Sequence, residues 1–134
     1  MWWSFCVALL LYLLPVNFSS LKSCFGLDFL FAGYPGITLE SAIPCESQAA
    51  KWSEALRDRY FDIASKCDKE TLIQTHYSPD CMDKRNRYMV DQADVLIAVW
   101  DGSPSGTGKT VRYAHQQGIS VTVIDPVSLD VTQE

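Results

Sequence analysis

The sequence carries little positive charge, and this limits its partners. Its 134 residues include 11 Lys and Arg against 16 Asp and Glu, which gives a net charge of −5. A nucleic-acid-binding protein needs a basic face to neutralise phosphates, so we expect no nucleic-acid partner. A small anionic ligand is still compatible with this charge, because helix dipoles and one or two cations are enough to hold it.

Metal-binding and disulfide patterns are also missing. The five cysteines include no CxxC pair, and neither of the two histidines stands at the spacing of zinc ligands. An odd number of cysteines without a pairing pattern is typical of a reduced, cytosolic protein. We therefore expect no metal, no cofactor and a cytoplasmic location.

The N-terminal segment lacks charge, since its first charged side chain is Lys22. A secretory signal normally opens with basic residues, and Pro15 interrupts a run that is already short for a membrane span. We interpret this segment as a buried helix. The alternative is a signal or anchor in residues 1–20, which would make the chain a membrane-associated interaction protein.

Strand and helix patterns alternate from residue 37 onward. The predicted strands are 37–44, 71–76, 94–100 and 119–126, and the predicted helices are 46–66, 80–93 and 106–117. Ser78 and Pro79 form a helix start signal, and Gly118 is typical of a helix end. The alternation predicts an α/β fold of the Rossmann-like, doubly wound type, with a mostly parallel sheet and helices on both faces.

The segment SPSGTGKT at 103–110 is close to a phosphate-binding P-loop. The pattern GxxxxGK[ST] requires Gly at 103, where this chain has Ser103, and Gly102 is one place out of register. A P-loop ATPase is therefore the least favoured function, and Lys109 is expected to face solvent. The strand, loop and helix layout still predicts a ligand site, because ligands of open α/β sheets bind at the carboxyl ends of strands.

Four blocks of sequence are distinctive: AIPCESQAAKW, YSPDCMDKRNRYMVDQADVLIAVWDGSPSGT, TVRYA and IDP. From about Ala42 to Pro126, the chain carrying them resembles the SLOG superfamily, which joins the Smf/DprA proteins and the LOG phosphoribohydrolases. Within that superfamily it is most similar to the bacterial YpsA-like branch. The resemblance implies a Rossmann-like domain with a pocket for a nucleotide or a nucleotide-derived small molecule.

The resemblance also implies where that ligand binds. The matching positions lie after the second strand, on one helix and in the glycine-rich loop: Pro44, Cys45, Gln48, Met82, Arg85, Asn86, Asp101, Gly102, Gly106, Thr107 and Thr110. Ser105, where the branch often has a second glycine, departs from the pattern and is a further candidate ligand residue of the same loop. Arg85 resembles the arginine that LOG enzymes present to their substrate, and a guanidinium donates two hydrogen bonds to a phosphate at once. Tyr77, at the end of a predicted strand, is our candidate for stacking on the base.

One departure from the LOG pattern bears on catalysis. LOG enzymes carry Glu where this chain has Thr110, so the acid/base group of their glycosidic-bond chemistry is missing here. We therefore expect a sensor or regulatory module, with no catalytic residue assigned and a homo-oligomer allowed. The alternative is an N-glycosidic or phosphoribosyl hydrolase of nucleotides, which would take its carboxylate from Asp101 or Asp91.

The front of the chain departs most from the family pattern. Its composition changes abruptly, which predicts a divergent segment at 1–33 and a SLOG-type domain at 34–134. We interpret the first segment as the product of a truncated or frameshifted reading frame. The first strand and helix of the family would then be absent or replaced.

Overall fold

The chain forms two compact units. A computed structural model describes residues 7–10 and 40–134, so the predicted boundary at 33 and 34 lies outside the described residues. The first unit contains Met1–Leu13 and Pro79–Glu134, and the second contains Leu14–Ser78. Each unit has its own sheet, and both sheets are mostly parallel, which confirms the predicted Rossmann-like α/β class.

Strands and helices alternate along most of the described chain. In order they are β1 (Val7–Leu10), β2 (Glu40–Ile43), α1 (Glu54–Ala64), β3 (Lys69–Leu72), α2 (Cys81–Asp91), β4 (Val95–Val99), α3 (Gly106–Gln116), β5 (Ser120–Ile124) and β6 (Val131–Gln133). The helix α3 connects the neighbouring parallel strands β4 and β5, as a parallel pair requires.

The sheet of the first unit has the strand order β1-β4-β5-β6. Both β1 and β5 run parallel to β4, with Val95 opposite Val7 on one side and Ser120 on the other. Strand β6 adds to β5 in the antiparallel direction. The apolar run VLIAV is therefore the central parallel strand, as its composition predicts.

The core of the first unit lies between this sheet and two helices. Helix α3 packs against β4, β5 and α2, and α2 also contacts β1. The buried cluster consists of Val90, Leu96, Ala98, Val111, Ala114 and Val121. Removing each large apolar side chain from water stabilises the fold by about 1.5–3 kcal/mol, so this cluster holds α3 against β4 and β5.

Helix α3 ends as its sequence predicts. Gly118 has φ of +74°, a left-handed conformation that glycine adopts without steric cost. The amide of Ile119 donates to the Ala114 carbonyl at 3.0 Å, and the amide of Gly118 donates to the His115 carbonyl at 3.0 Å. These two bonds form a Schellman motif, which satisfies carbonyls at the helix end.

The second unit contains the parallel pair β2 and β3 and the helix α1. Glu40 pairs with Lys69 and Ile43 with Leu72, and the Lys69 ammonium lies 3.1 Å from the Glu40 carboxylate. The predicted helix at 46–66 begins only at residue 54, because residues 46–51 form turns. The predicted strand at 71–76 lies at 69–72 instead.

Two other predictions were wrong. Asp80, and not Ser78, is the N-cap of α2, since Ser78 is engaged elsewhere and accepts a hydrogen bond from Gln74 Nε2 at 2.6 Å. Residues 7–10 form a strand and not part of a buried helix, because they complete the sheet beside β4. The polar tail also contains β6, which the sequence did not indicate.

No helix within residues 40–134 is both long and apolar enough to cross a membrane. Most of residues 1–20, where the sequence allows a signal or anchor, lie outside the described part of the chain.

Candidate functional site

The candidate site begins where the central strand ends. Strand β4 ends at Val99, and residues 100–105 form the loop that leads into α3. The Trp100 amide still donates to the Ile124 carbonyl at 3.0 Å, so the loop starts from a residue fixed on the sheet. This is the carboxyl edge of a parallel sheet, where α/β proteins bind ligands.

A tight turn follows at Asp101. Its Oδ1 accepts a hydrogen bond from the Ser103 amide at 2.9 Å, and Gly102 between them has φ of +82°. Hydrogen bonds from the Ser103 hydroxyl and amide lower the pKa of Asp101 below its usual range. The carboxylate therefore shapes the turn while its side chain stays exposed.

Ser105 caps helix α3. Its hydroxyl accepts a hydrogen bond from the Gly108 amide at 3.2 Å, and its carbonyl accepts from the Lys109 amide at 3.1 Å. The amides of Gly106 and Thr107 donate to no side-chain or backbone oxygen within residues 40–134. Together with the positive end of the helix dipole, these amides are suited to an anion.

Gly108 allows the loop to fold back on the helix. A methyl carbon placed on Gly108 would lie 2.9 Å from Cζ2 of Trp100, closer than real carbon contacts. The Trp100 indole is fixed in that place, because its Nε1–H donates to the Ser103 carbonyl at 2.7 Å. The sequence therefore needs glycine at 108 for packing.

A buried hydrogen-bond chain joins α2 to the first turn of α3. Asn86 Nδ2 donates to Thr110 Oγ1 at 2.9 Å, and Thr110 Oγ1 donates to the Gly106 carbonyl at 3.0 Å. Asn86 Oδ1 accepts from Arg85 Nε at 2.8 Å. We refer to these four residues, Arg85, Asn86, Thr110 and Gly106, as the α2–α3 bridge.

An open depression of about 500 Å³ lies at the start of α3. It is lined by Trp100, Gly102, Pro104, Ser105, Gly106, Gly108, Lys109 and Arg112. Lys109 and Arg112 are exposed cations, and neither enters an ion pair within residues 40–134. The depression therefore combines apolar surface, helix-terminal amides and two positive charges.

The predicted residues of the first unit divide into two groups. Gly102, Ser105 and Gly106 line the depression. The others do not line it: Met82, Arg85 and Asn86 stand on α2, Asp101 is in the exposed turn, and Thr107 and Thr110 are buried on α3. Of the residues implied by the resemblance, some thus line the depression, and the others lie in the adjoining turn and helices.

Pro44, Cys45, Gln48 and Tyr77 belong to the second unit. Pro44 and Cys45 are buried directly after β2, and Gln48 follows in the turn region with its Oε1 buried and without a hydrogen-bond partner in the described chain. Tyr77 is 67% exposed, which leaves its ring accessible for stacking.

Five lining residues were not among the predicted positions: Trp100, Pro104, Gly108, Lys109 and Arg112. Lys109 is exposed, as expected, yet it also lines the depression. A signal for the two cations exists in the sequence, because residues 109 and 112 are three apart and share one face of a helix that starts at 106.

The described residues contain no group of His, Cys, Asp and Glu that is arranged to hold a metal ion. Among them, Cys45, Cys67 and Cys81 are free thiols. Burial, followed by the nearby charge of Glu70, raises the pKa of the Cys67 thiol, which disfavours the reactive thiolate.

Similar proteins come from Bacillus. The chain is 29% identical over 106 residues to the uncharacterized SPbeta prophage-derived protein YoqJ of Bacillus subtilis strain 168, covering 70% of this chain and 62% of that protein. It is 30% identical over 88 residues to a UPF0398 protein of Bacillus cereus strain B4264, covering 63% of this chain and 48% of that protein. The chain thus spans about half to three-fifths of the length of these curated relatives.

A family-level match covers more of the chain. The sequence model named YpsA, described as YspA SLOG family, matches residues 25–129. This range contains the glycine-rich loop, the α2–α3 bridge and both cations of the depression. The chain therefore belongs to the YpsA family of SLOG proteins.

Proposed function

We propose that this protein binds a nucleotide or a nucleotide-derived small molecule by its phosphate, as a sensor or regulatory module. The observation that carries the proposal is the glycine-rich loop at the carboxyl end of β4, where Gly106 lines a depression and the amides of Gly106 and Thr107 begin α3. A helix N-terminus in this position is a common binding site for phosphate.

The charges around the depression support an anionic ligand. Lys109 and Arg112 line it, while no acidic side chain is among its lining residues. The whole chain carries a net charge of −5, so these two cations make a local exception to its acidic surface. A small phosphate-bearing ligand fits such a local site, while a nucleic acid would need a longer basic surface.

The surroundings of the loop favour binding over hydrolysis. Thr110 stands where LOG enzymes carry Glu, and here its hydroxyl is buried and bonded to Asn86 and Gly106. Of the two alternative carboxylates, Asp101 accepts from the Ser103 amide, and Asp91 accepts from the Tyr113 hydroxyl at 2.8 Å. We therefore assign no general acid or base. We also propose a cytoplasmic location for the sensor.

The first test measures binding of the purified full chain to a panel of nucleotides and to inorganic phosphate. Thermal melts and calorimetry are the two methods. A ligand that binds the folded state raises the melting temperature by mass action. We expect Lys109→Ala and Arg112→Ala each to weaken binding by at least about tenfold, since a hydrogen bond to a charged group contributes about 1.5–3 kcal/mol. Arg85→Ala tests the arginine implied by the family resemblance.

Lys84→Ala is the matched control. Lys84 is a half-exposed cation of the same unit, pairs with Asp80 at 2.9 Å and does not line the depression. Equal losses in Lys84→Ala and Lys109→Ala would mean that only net charge matters and would contradict the proposed site. Release of free base and sugar phosphate from any nucleotide in the panel would favour the hydrolase instead.

A further inference from the structure

In the α2–α3 bridge the Thr110 hydroxyl makes two hydrogen bonds, using its single donor and one of its two acceptor lone pairs. The hydroxyl accepts from Asn86 Nδ2 and donates to the Gly106 carbonyl. Both Asn86 and Thr110 are only 4% exposed, so water does not compete for these bonds. An unsatisfied polar group at this depth is costly, which makes the geometry of the bridge strongly preferred.

Asn86 also acts on a second side chain. Its Oδ1 accepts from Arg85 Nε, while its Nδ2 serves Thr110. One amide therefore orients the guanidinium on α2 and, through Thr110, the first turn of α3. The first turn of α3 carries amides to which the proposed function assigns phosphate contact, and Arg85 is the arginine implied by the family resemblance.

We propose that Asn86 and Thr110 are positioning residues of the phosphate site and not ligand contacts. They fix the Gly106 carbonyl and with it the peptide group that carries the Thr107 amide at the start of α3, while Asn86 also accepts a hydrogen bond from Arg85. This inference rests on the proposed function for the meaning of the site. It differs from the family expectation, under which both residues touch the ligand.

The burial of Asn86 and Thr110 favours a positioning role over direct contact with the ligand. Neither Asn86 nor Thr110 lines the depression, while Gly106, their partner at the end of the bridge, does. A ligand in the depression would meet the amides and cations of α3 first. The bridge would act on it only through the orientation of the helix turn.

Thr110→Val is the main variant, because valine keeps the shape of threonine and removes the hydroxyl. We expect the amide resonances of Gly106 and Thr107 to move in nitrogen-15 NMR spectra of the ligand-free protein. Inorganic phosphate, titrated on the same resonances, should bind at least about fivefold more weakly. Thr110→Ser restores the hydroxyl and should return both resonances and affinity to within about twofold of the parent.

Val111→Ala is the matched control for stability alone. Val111 neighbours Thr110 in sequence and is buried in the core cluster, but it takes no part in the bridge. We expect it to lower the melting temperature and to leave phosphate affinity within about twofold. If Val111→Ala weakens phosphate binding as much as Thr110→Val, the bridge has only a structural role and the inference is wrong.

Two further results separate this inference from the proposed function. If the parent chain binds neither phosphate nor any nucleotide, the proposed function fails, and the ligand-free resonances still decide whether the bridge orients the turn. A folded Thr110→Val protein with unmoved Gly106 and Thr107 resonances would overturn the inference even if phosphate binds. If Thr110→Val does not fold, Asn86→Asp replaces it, since the carboxylate keeps the size of the amide and removes the donor to Thr110.

Discussion

The helices α1 and α3 have the same length of 11 residues and differ in nearly everything else. Five residues of α3 are buried, and its N-cap Ser105 accepts a side-chain hydrogen bond from Gly108. Helix α1 has no buried residue among those described, and its N-cap Ser53 makes no such bond. Both sequences show apolar residues at helical spacing, so periodicity alone does not reveal how strongly a helix is held.

The difference follows from what each helix covers. Helix α3 connects two neighbouring parallel strands and lies on them, so its apolar side packs into the core cluster. In α1, Phe61 is largely exposed and Tyr60 contacts the rings of Trp52 and Phe61 edge-on at 5.7 and 5.2 Å. We therefore expect the same kind of substitution to cost more in the first unit than in the second.

The largest contrast should come from truncating a leucine in each unit. Leu96 on β4 is fully buried, whereas Leu56 on α1 is 39% exposed. Leu96→Ala should lower the free energy of unfolding by about 2–5 kcal/mol, because it leaves a cavity in a packed core. Leu56→Ala should cost about 1 kcal/mol or less. Urea denaturation measures both, and equal costs would remove the distinction between the two helices.

Gly108→Ala should have the next largest effect. The added methyl group meets the Trp100 ring at 2.9 Å, and relieving such overpacking costs about 1–3 kcal/mol. This outweighs the roughly 1 kcal/mol that alanine gains over glycine in a helix. Gln116→Ala, at the exposed end of α3, is the control that changes propensity without a clash. A Gly108→Ala protein that melts above the parent would show that the loop yields freely.

Removing the two N-cap hydroxyls tests the comparison at the helix starts. Ser105→Ala should cost about 1 kcal/mol, since the Gly108 amide loses its acceptor. Ser53→Ala should cost only about 0.3 kcal/mol, because no side-chain cap bond is lost. Paired thermal melts give the two values, and a larger loss at Ser53 would reverse the assignment of the stronger cap.

The smallest effect concerns pH at the Asp101 turn. Hydrogen bonds from Ser103 lower the pKa of Asp101 in the folded state, so the unfolded chain binds the proton more readily. The stability from this turn is therefore present above the ordinary Asp pKa near 4 and is lost as the pH falls through the lower folded pKa. Asp101→Asn, which keeps an acceptor but does not titrate, should lose less stability over that window. Identical pH profiles for the two proteins would contradict this role.

Local signals explain which parts of the fold were predictable. The apolar run of β4, the start of α3 at Gly106 and its end at Gly118 are encoded within a few residues, and the structure has all three. Strand β6 was missed because it is only three residues long and all three side chains are exposed, so no apolar pattern marks it as the partner of β5. The N-cap at Asp80 was missed because Ser78 is the stronger local signal, yet Gln74 already binds it.

In the site, as in the fold, the local features were predictable from the sequence and the contacts between helices were not. The loop residues that line the depression carry their own glycine and serine pattern, whereas Asn86 and Thr110 are 24 residues apart and meet only through helix packing. The family resemblance implies that both contact the ligand, and no local sequence pattern indicates that both are buried. It also set Lys109 aside as a solvent-facing residue, although exposure and a position beside a binding surface are compatible.

The contact between Trp100 and Gly108 gives the loop an optical signal of its own. The indole is half-buried, donates to Ser103 and lies against the first turn of α3, so its emission depends on whether the turn is closed. The chain has four tryptophans, and replacing Trp2, Trp3 and Trp52 with phenylalanine would leave this one alone. Fluorescence of that protein would then report any change in the contact between the loop and α3, with no attached dye.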